Sequence, residues 1–428
     1  MSTISRRQFL AASAAATAPL ILPTRVLGRA GHPGPNDQIV LGCIGVGGMG
    51  SRNMRSMNRW HPVAAVCEAD TQRAEAAAGL LDNEPAIYGD YRRLLDRQDI
   101  DAVIIATPDH WHAVQTVHAV AAGKDVYVEK PLGNTIEEGR AVVDAVNRHG
   151  AIVQVGNQGR SNELFYRFYS FLRNGEIGNI KQVDCWHYPN PEGPSPPDQE
   201  PPDHLDWDMW LGPARWRPYN PTYCHSTFRW FMFSGGGNIR DRGAHQLSLV
   251  LWALDRDDDG PVKVTATGTP AASGNYDNPI EMDVTWEFTD PDVTVTWRQP
   301  GDPPEENLEI GYGNEYHGES GTAYHWGTAD EPGCGVSGNV ADYEPPADGV
   351  QLYRSPHHHE NWLECIKTRE QPIMPVGPAH RAATMCNLGN LAYLLGRPLE
   401  FDPRAERFVN DEHANRLLSR PGRGPWHV

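Results

Sequence analysis

Three glycines at fixed spacing, Gly45-x-Gly47-x-x-Gly50, stand between a β-branched apolar run and a stretch of helical character. That spacing suits a dinucleotide pyrophosphate. Gly45 permits a tight turn, Gly47 lets backbone approach the phosphates, and Gly50 lets the helix pack on the strand. Gly48 and Met49 complete the loop, and the free N–H groups of the helix start face the anion. Glu68 closes the next apolar run. A carboxylate there accepts hydrogen bonds from the adenosine ribose diol and repels a 2′-phosphate, which favours NAD over NADP. Arg73, close by, works against that discrimination. Glu129-Lys130-Pro131 ends a later apolar run, at the sheet edge where ligands of such folds collect. The lysine can hold a substrate hydroxyl and stabilise the alkoxide that develops as hydride leaves carbon. Pro131 orients it, a cis peptide being one means of doing so.

The elements that must position these groups follow from hydrophobic patterning. Ile39–Ile44, Val63–Cys67, Ala102–Thr107, Asp125–Glu129 and Ile152–Val155 read as strands. Met49–Arg59, Thr71–Leu81, Trp111–Ala122 and Thr135–Arg148 read as helices between them. Such alternation predicts an α/β fold with a doubly wound parallel sheet, a Rossmann domain over 37–158. Beyond it, a helix near Glu163–Asn174 leads to strand-like Ile180–Tyr188 and then a Pro-rich loop. Val262–Gly268, Glu281–Thr289 and Val293–Arg298 predict a largely antiparallel, open sheet in an α+β domain over 159–428. The Gly/Pro-rich stretch 299–349 reads as long irregular loops. Closing helices, about 360–395, are expected to pack back toward the Rossmann domain.

Composition bounds the partners. The formal charge of −18 repels phosphate backbones and anionic lipid, which excludes nucleic acid and membrane surfaces as natural partners. The seven cysteines are scattered, without CxxC spacing, and read as free or buried thiols. At the N-terminus, Ser5-Arg6-Arg7-Gln8-Phe9-Leu10 and the Ala-rich run to Leu22 have the pattern of a twin-arginine export signal over 1–30. The run is too short and too weakly apolar to span a bilayer, which takes about 20 apolar residues. A periplasmic or other extracytoplasmic location follows. Free nicotinamide is not expected there, so the cofactor is expected to be tightly bound.

Four motifs occur in order: Gly45–Gly50, Ala106-Thr107-Pro108-Asp109-x-x-His112, Glu129-Lys130-Pro131 and Asp241-x-x-x-His245. The set resembles the Gfo/Idh/MocA family, which includes glucose–fructose oxidoreductase and inositol dehydrogenase. Trp210-Leu211-Gly212-Pro213 and the closing helices extend the likeness over the mature chain, and the Phe228-Arg229-Trp230 to Gly235-Gly236-Gly237 element resembles the branch common in exported bacterial proteins. The resemblance implies an NAD(P)-dependent oxidoreductase acting on CH–OH groups, and a homo-oligomer, dimer or tetramer. It implies that Lys130 meets substrate and nicotinamide, and that Asp241 and His245 meet substrate from the second domain. Four apart on a helix, the two would share a face. His245 is then the general base, with Asp241 orienting it or gripping a hydroxyl. Thr107, Pro108, Asp109 and His112 would line the nicotinamide ribose, Glu129 would bind the cofactor beside Lys130, and Gln158 would approach the nicotinamide.

Two positions depart from the family pattern: Ser248 stands where relatives carry Asp, and Asp109 where many carry Asn. Arg240 and Arg242 flank Asp241, and either can be read as reaching the cleft for a substrate carboxylate or sulfate. His357-His358-His359-Glu360 lacks ligand spacing, so no metal is expected. The expected substrate is a sugar, glycoside or cyclitol secondary alcohol. Two alternatives stay open: a redox-neutral, NAD-dependent glycoside hydrolase or lyase working by transient oxidation and elimination, and a carbohydrate-binding relative without catalysis.

Overall fold

The computed structural model describes residues 38–306, 308, 311–327 and 334–428. The twin-arginine segment lies outside the described residues.

The first unit alternates strand and helix: β1 Leu41–Ile44, α1 Gly48–Met57, β2 Val63–Cys67, α2 Thr71–Ala78, β3 Ala86–Tyr88, α3 Tyr91–Leu95, β4 Ala102–Ile105, α4 Asp109–Ala121, β5 Asp125–Val128, α5 Ile136–His149 and β6 Val153–Val155. The strands pair in parallel in the order β3-β2-β1-β4-β5-β6. The order reverses at β1 and β4, and loops after these strands bound the crevice where ligands of such sheets bind. The fully buried runs of β1 and β4 suit the central position. A Thr135–Glu138 capping box starts α5, and Gly150 ends it in the left-handed region.

The second unit contains α6 Glu163–Arg173, β7 Ile180–Trp186, α7 Trp207–Leu211, α8 Asn238–Asp241, α9 Gly243–Leu254, β8 Lys263–Thr269, β9 Glu281–Phe288, β10 Val293–Gln299, β11 Gly313–Gly318, β12 Thr322–Trp326, β13 Gly335–Val336, α10 His358–Thr368, α11 Val376–Leu395, β14 Leu399–Asp402 and β15 Arg407–Phe408. Among the described residues the strands form one sheet, β13-β12-β11-β7-β10-β9-β8-β14-β15, antiparallel except where β7 pairs with β10. The stretch expected to be irregular loops therefore supplies β11 to β13. Gly313 explains the misreading. It sits in the β11 strand because Trp186 and the His325 carbonyl leave no room for a Cβ, so glycine there marks close approach, not a turn.

Residues on β9 alternate between exposed and buried along Glu281–Phe288. The buried face packs under α6, α9 and α11 through Trp286, Trp297, Phe168, Tyr169, Leu247 and Met385. The other face is polar, with Glu281 and Asp283 exposed on β9. Helix α10 returns to the first unit, where Trp362, Leu363 and Cys365 join Met54, Met57 and Tyr127 in one core. No helix among the described residues is long and apolar enough to cross a membrane.

Candidate active site

A cleft of about 370 Å3 is lined by the glycine loop, the loops after β2, β4 and β5, and residues 225–241 of the second unit. Gly45 is in the left-handed region at φ 78°, and a Cβ there would lie 2.6 Å from Thr107 N. A Cβ on Gly50 would lie 1.9 Å from the Gly45 carbonyl oxygen. Both positions therefore require glycine for packing. Gly48 meets nothing within 4 Å, and at Gly47 the nearest atom is Arg73 Nη1 at 3.1 Å. Helix α1 begins without a side-chain cap or an acid in its first turn, so its first N–H groups are open to an anion.

Glu68 closes β2 and binds the loop itself. Its carboxylate accepts from Val46 N at 3.0 Å and Ala69 N at 2.9 Å. Burial raises its pKa, against the pull of those bonds and of Arg73. Asp70, beside it, is buried against His204, His225 and Arg73.

Lys130 reaches across the cleft. Its Nζ donates to Asp241 Oδ1 at 2.6 Å and to the Asp241 carbonyl at 2.8 Å, and the Lys130–Pro131 peptide is cis. Arg229 Nε stands 3.2 Å from the same carboxylate oxygen. Against the cost of burial, Lys130, Arg229 and Arg242 hold Asp241 ionised well below the usual carboxylate range. The Phe228-Arg229-Trp230 motif by itself assigns Arg229 no role. A basic residue after an aromatic carries no signal until the fold places it.

The lysine bond reshapes the helix. In an unbroken helix the Asp241 carbonyl would accept the His245 N–H, but it accepts from Lys130 and the His245 N–H turns to Arg242 O at 3.0 Å. The expected single helix is thus two, α8 ending at Asp241 and α9 starting at Gly243. His245 keeps Nδ1 without a hydrogen-bond partner. Burial, with Lys130 and Arg242 nearby, depresses its pKa well below the ordinary value, so the imidazole is neutral. Ser248 does not serve His245; its hydroxyl accepts from Arg160 Nε.

The nicotinamide-side residues divide. Thr107 and Pro108 line the cleft, and the Thr107 hydroxyl donates to Gln115 Oε1 at 2.8 Å. His112 is 1% exposed, with Nε2 at 2.8 Å from Thr107 O and Nδ1 at 2.8 Å from Pro131 O. Burial lowers its pKa to about 4, so the ring is neutral and its single N–H donates to one of these two carbonyls, while His112 lines the cleft between the β4 and β5 loops. Asp109 lines the cleft, and burial pushes its pKa up to about 7 against Arg240, Lys130 and Arg229. Glu129 accepts from Asn53 Nδ2 at 2.8 Å and Gln158 Nε2 at 3.3 Å. Gln158 also donates to Tyr127 and lines a separate cavity, with α1 and the start of α10. His358 and His359 lie in that region, bonded to Ser161 and Ser56. No cluster of His, Cys, Asp or Glu suited to a metal occurs among the described residues.

Two family profiles match this chain: "Oxidoreductase family, NAD-binding Rossmann fold" over residues 39–157, and "Oxidoreductase family, C-terminal alpha/beta domain" over 186–428. The chain belongs to the Gfo/Idh/MocA oxidoreductase family. Among curated members, an inositol 2-dehydrogenase from Klebsiella pneumoniae is 32% identical over 151 residues, 34% of this chain and 45% of that enzyme. A glycosyl hydrolase family 109 protein from Shewanella is 33% identical over 209 residues, 42% of this chain and 45% of that protein. The chain thus spans less than half the length of these curated relatives. Family folds recur in the WlbA dehydrogenase of Bordetella pertussis, solved with NADH and UDP-GlcNAcA, at TM-score 0.63 and 17% identity over 85% of this chain and 99% of that one. The aldose-aldose oxidoreductase of Caulobacter crescentus gives TM-score 0.61 at 17% identity, over 85% of this chain and all of that one.

Proposed function

We propose that this protein oxidises a secondary alcohol of a sugar, glycoside or cyclitol, using NAD. The observation that carries this reading is the Lys130 ammonium, 2.6 Å from Asp241 Oδ1 in the same cleft as the glycine loop. The residues present fit the cofactor: the open positions Gly47 and Gly48 and the uncapped α1 start suit a pyrophosphate, and Glu68 suits a ribose diol. When bound, NAD supplies the acceptor for the substrate hydride.

The side chains then have defined tasks. Two of the three ammonium N–H groups of Lys130 are held by Asp241, which leaves one for the substrate hydroxyl. As the C–H bond breaks, that N–H meets the charge growing on oxygen. Neutral His245 accepts the hydroxyl proton. Arg229 and Asp241 keep Lys130 aimed, so little reorganisation accompanies the step. The Arg6-Arg7 pattern supports work outside the cytoplasm with tightly retained cofactor. The exposed face of the large sheet suits self-association.

Mixing the purified protein with NAD and a panel of polyols and sugars should raise the near-ultraviolet band of reduced nicotinamide. A redox-neutral reading, in which transient oxidation acidifies the neighbouring C–H and elimination breaks a glycosidic bond, is favoured by the likeness to the glycosyl hydrolase family 109 protein. It predicts cleaved glycoside, solvent deuterium at carbon, and no net reduced cofactor.

A further inference from the structure

Arg240 precedes Asp241 in the chain but lines a different and larger cavity, about 720 Å3, between the start of α5, the 215–217 loop, α11 and the C-terminal segment. The sequence allowed Arg240 to reach the cleft; the fold turns it to the other side of the same wall. Its side chain is 3% exposed and makes no hydrogen bond or ion pair among the described residues, with Nε and Nη2 unpartnered. A buried guanidinium without an acceptor is costly. Two carboxylates lie within electrostatic reach and neither touches it: Asp109, pushed by its own burial to about 7, and Glu138, which is bound by Arg420 and by the Asn134 and Thr135 N–H groups.

Two lining amides have the opposite need. Asn134 donates to the Phe233 carbonyl and Asn390 to the Gly236 carbonyl, while the Oδ1 of each is buried without a donor. Arg240 and Asn390 are neighbours: a Cβ on Gly236 would meet Arg240 Nη1 and Asn390 Nδ2 at 2.9 Å each. Trp216, on the rim, is 60% exposed and offers a ring face.

An occupant must therefore bring an anionic acceptor for Arg240, hydroxyl or amine donors for Asn134 and Asn390, and an apolar face for Trp216. Sulfate supplies the first alone, and a neutral sugar the last two alone. We propose that this cavity binds a sugar acid, its carboxylate on Arg240, its hydroxyls on Asn134 and Asn390, and its ring against Trp216. The site uses none of the Lys130 machinery and does not depend on the oxidoreductase reading.

Calorimetric titration of the full chain in a Lys130→Ala background, which disables the cleft, tests it with D-glucuronate, D-glucose and sulfate as probes. Glucuronate should bind at least roughly tenfold more tightly than glucose or sulfate. Arg240→Gln and Trp216→Ala should each weaken glucuronate by roughly tenfold; Trp216, being exposed, serves where the Arg240 variant fails to fold. No glucuronate binding, equal binding of sulfate, or binding indifferent to Trp216→Ala would overturn the proposal.

Discussion

Arg240 and Asp241 are chain neighbours with opposite surroundings. Asp241 touches Lys130 and Arg229, and Arg240 touches no charged partner among the described residues. The Asp241 carboxylate is paired within the protein, which holds Lys130 ready for charge that develops in the cleft. The cavity behind it is complete only with an occupant. Both lie in the short helix α8, where successive side chains point about 100° apart, so the two neighbours face different sides of one wall.

Lys130→Ala should lower kcat by about 10³-fold, since it removes the donor for the forming alkoxide; steady-state kinetics with NAD and any active polyol check it. Asp241→Asn leaves Lys130 and Arg229 without their carboxylate and should cost about 3 kcal/mol of stability at pH 7. The carboxylate is held below its unfolded value, so its contribution is full above about pH 4 and lost as pH falls further. Denaturant melts at pH 7 and pH 3 should therefore show the difference shrinking in acid.

Asp109 has the reverse sign. Its pKa is raised to about 7, so it is favoured protonated in the fold and becomes a burden as pH rises from about 4 through 7. Asp109→Asn should raise Tm over the parent more at pH 8 than at pH 4. Glu68→Ala should narrow the preference for NAD over NADP by about tenfold, read as a ratio of kcat/KM values. The smallest effect contrasts most directly with Asp241. Arg240→Met, removing a buried charge without a partner, should be neutral or stabilising by about 1 kcal/mol in the unliganded chain.

The Rossmann half was legible because its chemistry is local. Gly45 to Gly50, Glu68 and Lys130 each close a strand whose apolar run is visible, and β2 as observed spans the residues the pattern indicated. The second half was legible in outline only. Its strands β11 to β13 hide behind glycines that admit Trp186 and Trp326, a tertiary cause with no local trace. The Asp241–His245 spacing predicted a shared helix face. The break came from a lysine 111 residues earlier. Arg229 and His112 likewise owe their surroundings to distant residues.

Single-turnover mixing tests whether Lys130 drives hydride transfer, because it registers nicotinamide reduction whether the cycle is net oxidative or redox-neutral. Purified protein loaded with NAD is mixed with an excess of polyol or glycoside, and the reduced-nicotinamide band is followed in the parent and in Lys130→Ala. The band should rise in the parent and rise about 10³-fold more slowly in the variant. An equal rate in the two proteins would contradict that role of Lys130.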